Sequence, residues 1–147
     1  MTRILSRPLA AALLVAIVSA CSASPASAPA ASAGASAPAA SGNRPSSPAV
    51  VAIVKPMSGE SVTGTTVHVV LTLTGAQIVS ATTTNIRPDQ GHVHLYVDNV
   101  LVSMNYGLEQ DLPVHAGTYV LKAEFVAADH APFNPRVWSP EVFFTVK

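Results

Sequence analysis

The stretch DQGHVHLYVDNVLVSMN, Asp89–Asn105, decides the fold. Two short runs rich in valine and leucine flank Asp98-Asn99, and such a pair favours a two-residue β-turn. HVHLYV therefore folds back on VLVSMN. Counting out from the turn, Val97 faces Val100, Leu95 faces Val102, and Val93 faces Met104. These six apolar residues share the core face, because side chains alternate along a strand. On the other face Tyr96 meets Leu101, His94 meets Ser103, and His92 meets Asn105.

The same patterning extends outward from the hairpin. Valine, isoleucine and threonine dominate, and no stretch keeps a helical period. AVVAIV (Ala49–Val54) reads as a first strand, followed by the turn-rich KPMSGESVTG. TTVHVVLTLTG alternates, with Val67, Val69, Leu71 and Leu73 on one side and His68 on the other. AQIVSATTT is a weaker, strand-like extension, and NIRPDQG is a loop. YGLEQDLPV ends a short strand near Pro113. TYVLKAEFVA turns Tyr119, Leu121, Ala123, Phe125 and Ala127 inward. ADHAPFNPR, with two prolines, reads as a loop, and VWSPEVFFTVK as a closing strand at a sheet edge.

About seven or eight strands in about a hundred residues fit an Ig-like or fibronectin-like antiparallel β-sandwich. A small Greek-key barrel is the alternative. GTYVLKAEF resembles the penultimate strand of Ig-like domains. The Cys…Trp…Cys set is missing, so the domain would be a disulfide-free relative. GHVHLYVDNVLV…LPVHAGTYVLKAEFVAADHAPF also resembles an uncharacterised extracytoplasmic bacterial domain with a Gly-His-x-His-Leu-Tyr-Val-Asp strand. That resemblance is best over residues 75–147. It implies an envelope location and no established activity.

Residues 1–20 read as a signal peptide. Arg3 and Arg7 precede the apolar run PLAAALLVAIV, which is short for a bilayer span. VSAC, Val18–Cys21, then resembles the lipobox of bacterial lipoproteins. The resemblance implies cleavage before Cys21, lipidation of its thiol, and attachment to the outer side of a bacterial cell membrane. Multiple acyl chains anchor durably. Cys21 is the single cysteine of the chain, so no intramolecular disulfide can form. From 22 to 48, 23 of 27 residues are Ala, Ser or Pro, too little apolar bulk to offset the entropy of ordering. This linker reaches roughly 90 Å extended or roughly 30 Å as a coil. Residues 49–147 form the folded domain, held clear of the membrane.

That domain has five basic and eight acidic residues, a net charge of −3, and its basic residues are scattered. Nucleic acid is not an expected partner. No nucleophile elbow, phosphate loop, dinucleotide turn or His-Glu-x-x-His is present, and no carboxylates are spaced as an acid–base pair. The expected role is not catalysis: a membrane-anchored module that acts by binding a ligand or as an accessory to another envelope component, such as a protein partner.

The rival expectation is a metal-binding protein. Residues two apart on a strand share a face, so His92 and His94 project together. If HVHLYV and TYVLKAEFVA neighbour each other as strands C and F, the Asp129-His130 loop lies at the same end. His92, His94, His130 and Asp129 can then converge on copper or zinc. The competing structural account has Asp129 capping its loop and the histidines bonding Asn105, Ser103 or water. Met104 is expected in the core and not as a ligand. His68 and His115 are expected on the surface, away from this end.

Overall fold

A computed structural model describes residues 43–147. The signal peptide, Cys21 and the linker up to residue 42 lie outside the described residues. The remainder forms ten strands: β1 (Val50–Lys55), β2 (Glu60–Val62), β3 (Thr66–Thr74), β4 (Gln77–Ile78), β5 (Gln90–Val97), β6 (Val100–Asn105), β7 (Glu109–Pro113), β8 (Gly117–Ala127), β9 (Pro132–Trp138) and β10 (Val142–Val146).

One sheet has the order β1-β3-β7. The other runs β2-β10-β8-β5-β4, with β6 on β5 and β9 on β8. β10 pairs with residues 117–121 of β8 and β9 with 124–126, so they share one edge in succession. β4 and β6 share the far edge of β5 in the same way. The domain is an Ig-like β-sandwich: β1, β3 and β7 stand as strands A, B and E, and β5, β8 and β10 as C, F and G. A closed barrel is not formed.

The core lies between the sheets and obeys the alternation. Val67, Val69 and Leu71 from β3 meet Val93, Leu95, Leu121, Ala123 and Phe125 from β5 and β8. Phe133 of β9 stacks on Phe125 with centroids 5.6 Å apart. Full burial of one such ring contributes about 1.5–3 kcal/mol. Tyr119 Oη donates to the carbonyl of His115 at 2.9 Å, pinning the start of β8 as a tyrosine corner does.

The hairpin turns at Asp98-Asn99, both with positive φ, as a type I′ turn requires. Val97 pairs with Val100 and Tyr96 with Leu101, as counted. The ladder then slips by one residue. Leu95 pairs with Ser103, His94 with Met104, and Val93 with Asn105. A bulge absorbs Val102, since an extra residue there reverses every face beyond it. Met104, beyond the bulge, is exposed, and so are Val102 and Val100, so none of these three is core.

Four further expectations need correction. Residues 132–136, expected in a loop, belong to β9. Its proline-rich backbone is tolerated because the strand pairs with β8 through only a few residues. Ser139-Pro140-Glu141 separates it from β10, so VWSPEVFFTVK is not one strand. The turn-rich 55–64 segment also contributes β2, which runs parallel to β10. Residues 43–48, read as the end of the linker, bond to the domain: the Asn134 N–H donates to the Pro45 carbonyl at 3.0 Å, and Ser47 Oγ donates to the Pro88 carbonyl at 2.6 Å.

Candidate metal centre

β5 and β8 run antiparallel with Gly91 opposite Ala127 and His94 opposite Glu124. The strands approach closely at Gly91: a Cβ there would lie 1.9 Å from the Val126 carbonyl oxygen. Only glycine fits there. Past Ala127 the chain reverses in a tight turn. The His130 N–H donates to the Ala127 carbonyl at 2.9 Å, and the Ala127 N–H to the Ala131 carbonyl at 3.0 Å. His130 sits in the left-handed region at φ 64°, a conformation costly for a side chain with a Cβ. That backbone aims its imidazole back over β5.

The three imidazoles meet. His92 Nε2 lies 3.2 Å from His94 Nε2 and 2.8 Å from His130 Nδ1. One ligand atom from each of the three lies within 4.8 Å of the others. His92 and His94 are about 1% exposed, so this part of the outer face is not wet. Tyr106 packs on His92 with centroids 5.1 Å apart, and its hydroxyl is 3.4 Å from His130 Nε2. Thr82 Oγ1 lies 3.3 Å from the same nitrogen. Neither Tyr106 nor Thr82 stood out in the sequence. Tyr106 follows the hairpin on the histidine face only because of the bulge.

Asp129 does not join the cluster. Arg44 binds it bidentately, with both N···O distances 2.7 Å, and also donates to the carbonyls of Ala131 and Pro132. Asp129 Oδ1 further accepts the Ala131 N–H at 3.2 Å. Partial burial pushes its carboxyl pKa up, but the bonds from Arg44 and Ala131 outweigh this and hold it below the usual range. Asp129 is thus a clamp on the His130 turn, in keeping with the capping role weighed above, and not a ligand.

The β8 side of the site carries a second ion pair. Glu124, fully buried, takes Arg136 bidentately at 2.6 and 2.7 Å and accepts from Tyr96 Oη at 3.1 Å. Trp138 packs edge-on against Tyr96, 5.1 Å between centroids, while Arg136 lies 4.6 Å over its ring. Both carboxylates near the histidines are therefore neutralised by arginines.

Burial, then the neighbouring His130 and His94, lowers the His92 pKa to about 4, although Asp129 pulls the other way. Burial, then His130 and Arg136, lowers that of His94 to about 4. Both are neutral imidazoles at pH 7, the form that binds metals. Tetrahedral coordination at 2.0–2.1 Å places ligand nitrogens roughly 3.3 Å apart. The 3.2 Å separation already suits it, and the 2.8 Å one needs to open by roughly half an ångström. Metal held by the two Nε2 atoms would leave protons on Nδ1 of His92 and His94, and both atoms are buried without a hydrogen-bond partner. The carbonyl or carboxylate that usually accepts this proton and orients a ligating histidine is missing there.

His68 lies on β3 in the other sheet, bonded through Nδ1 to Asp111 at 2.7 Å, and His115 is in the exposed turn before β8. Neither approaches the cluster.

No family model matches the chain, and no curated protein matches it. Among solved structures the chain is similar to one described as "Structures of Clostridium thermocellum CbhA fibronectin(III)-like modules", at 24% identity and a TM-score of 0.49. That likeness covers 67% of this chain and 46% of the other, so the chain spans less than half of that one's length. The fold assignment rests on the strand order and pairing set out above.

Proposed function

We propose that this protein is an extracytoplasmic metal-binding module, holding copper or zinc through His92, His94 and His130. The observation that supports it is the convergence of three imidazole nitrogens, with His92 Nε2 at 3.2 and 2.8 Å from the other two. His92 Nε2 lies at hydrogen-bond distance from both other rings, and imidazole nitrogens gathered this closely can give their lone pairs to one metal cation instead. The role is binding and not catalysis: no acid–base pair stands free beside the cluster, because Glu124 and Asp129 are both held by arginines. The lipobox-like VSAC and the Ala/Ser/Pro stalk support display of the module from a bacterial cell membrane, with Cys21 as the lipidated residue.

Calorimetric titration of the full chain carrying Cys21→Ser, which removes the only thiol, tests the metal reading. Zn²⁺ and Cu²⁺ should bind at micromolar levels or tighter, and His92→Ala/His94→Ala should abolish this. Equal binding by the double variant contradicts the proposal and leaves the broader expectation, an accessory module for another envelope protein. Loss of acylation in Cys21→Ser, read by mass spectrometry of membrane fractions, tests the anchor separately; an unlipidated wild type contradicts it.

A further inference from the structure

The bulge at Val102 places Met104 directly opposite His94. Paired residues of adjacent strands share a face, with Cβ atoms roughly 4.5–5.5 Å apart. Two residues on, Tyr106 touches the His92 ring, which puts this part of the β6 strand on the histidine face. Met104 is 55% exposed, so its side chain gives up no core packing if it turns. The thioether sulphur stands two bonds beyond Cβ on an unbranched, adaptable stem.

We infer that Met104 supplies a fourth, thioether ligand and that the physiological ion is Cu(I). This rests on the three-histidine site proposed above. The β8 flank of His94 is filled by the Glu124–Arg136 pair, and the far end by the Asp129–Arg44 clamp. On the remaining β6 flank, beside the Tyr106 ring on His92, the residue opposite His94 is a methionine. A thioether selects soft ions and adds little for Zn²⁺. Charge favours the same ion. Imidazole and thioether ligands carry no charge when they bind a metal, and neither nearby carboxylate is free to offset a divalent cation. Burying a single positive charge in such a set costs less than burying two.

The test uses the full chain with Cys21→Ser and compares it with the further variants Met104→Leu and His92→Ala/His94→Ala. Leucine keeps bulk and apolarity but cannot ligate. Cu(I) affinity is measured anaerobically by competition with a chromophoric chelator, Zn²⁺ affinity by calorimetry, and sulphur ligation by copper-edge X-ray absorption. Met104→Leu should weaken Cu(I) by at least about tenfold, leave Zn²⁺ within about twofold, and remove a sulphur scatterer seen in the parent. Equal Cu(I) affinity with no sulphur in the parent spectrum overturns the Met104 assignment. If the His double variant still loses metal in that case, the three-histidine reading stands. Absence of binding by the parent to either ion overturns both.

Discussion

His92 Nε2 lies 2.8 Å from His130 Nδ1, although 38 residues separate the two in the chain. One histidine starts β5 and the other follows β8. They meet because these strands pair antiparallel with Gly91 opposite Ala127, and because a left-handed turn folds His130 back over the sheet. The contact is thus a product of topology and of one unusual backbone conformation, and both can be perturbed.

The Arg44–Asp129 clamp holds that turn. Arg44→Ala should cost about 1.5–3 kcal/mol in urea unfolding, the scale of hydrogen bonds to a charged group. It should also weaken metal binding by about tenfold, since His130 loses the brace that orients it. Unchanged affinity in a destabilised variant would show that Arg44 braces the fold alone.

Gly91→Ala should act on the site through the backbone. A Cβ 1.9 Å from the Val126 carbonyl oxygen cannot be accommodated without separating β5 from β8. Thermal denaturation should show a large loss of stability, and His92 and His94 should give shifted imidazole resonances. A variant with wild-type stability would contradict the close approach.

Metal-free protein should lose stability as pH falls from about 6.5 to about 4. Unfolded imidazoles take protons near the ordinary 6.5, whereas His92 and His94 in the folded domain do so only near 4. Between those values the unfolded chain binds more protons, so stability drops with falling pH and levels off below the folded values. His92→Gln/His94→Gln should flatten this part of the curve. Identical pH profiles for parent and variant would contradict the burial of neutral histidines.

Glu124→Ala should destabilise the domain by about 3 kcal/mol, because Arg136 and Tyr96 both lose a partner in a desolvated place. Chemical denaturation measures this directly. A change within about 0.5 kcal/mol, as for a surface site, would contradict it.

Much of this could be read from residue order. Period-two alternation placed His92 and His94 on one face, and the sandwich rule made β5 and β8 neighbours with the Asp-His loop at the right end. The type I′ turn at Asp98-Asn99 was equally legible. The bulge was not: nothing in VLVSMN distinguishes Val102 as the extra residue, and its effect was to move Met104 from the expected core to the histidine face. β9 was hidden because Pro132 and Pro135 read as loop punctuation. Its side chains Arg136 and Trp138 engage Glu124 and Tyr96, on a face that period alone makes look wet. Arg44 was hidden by distance, since its partner lies 85 residues away and its neighbours look like linker.

In the proposed function one ion sits among His92, His94 and His130. Crystals of the full chain with Cys21→Ser, soaked in zinc and measured on either side of the zinc absorption edge, test it most directly. An anomalous peak should appear bonded to His92 Nε2, His94 Nε2 and His130 Nδ1, with the 2.8 Å contact opened towards roughly 3.3 Å. A peak only at His68 and Asp111 on the opposite sheet, or no peak at the three histidines, would contradict it.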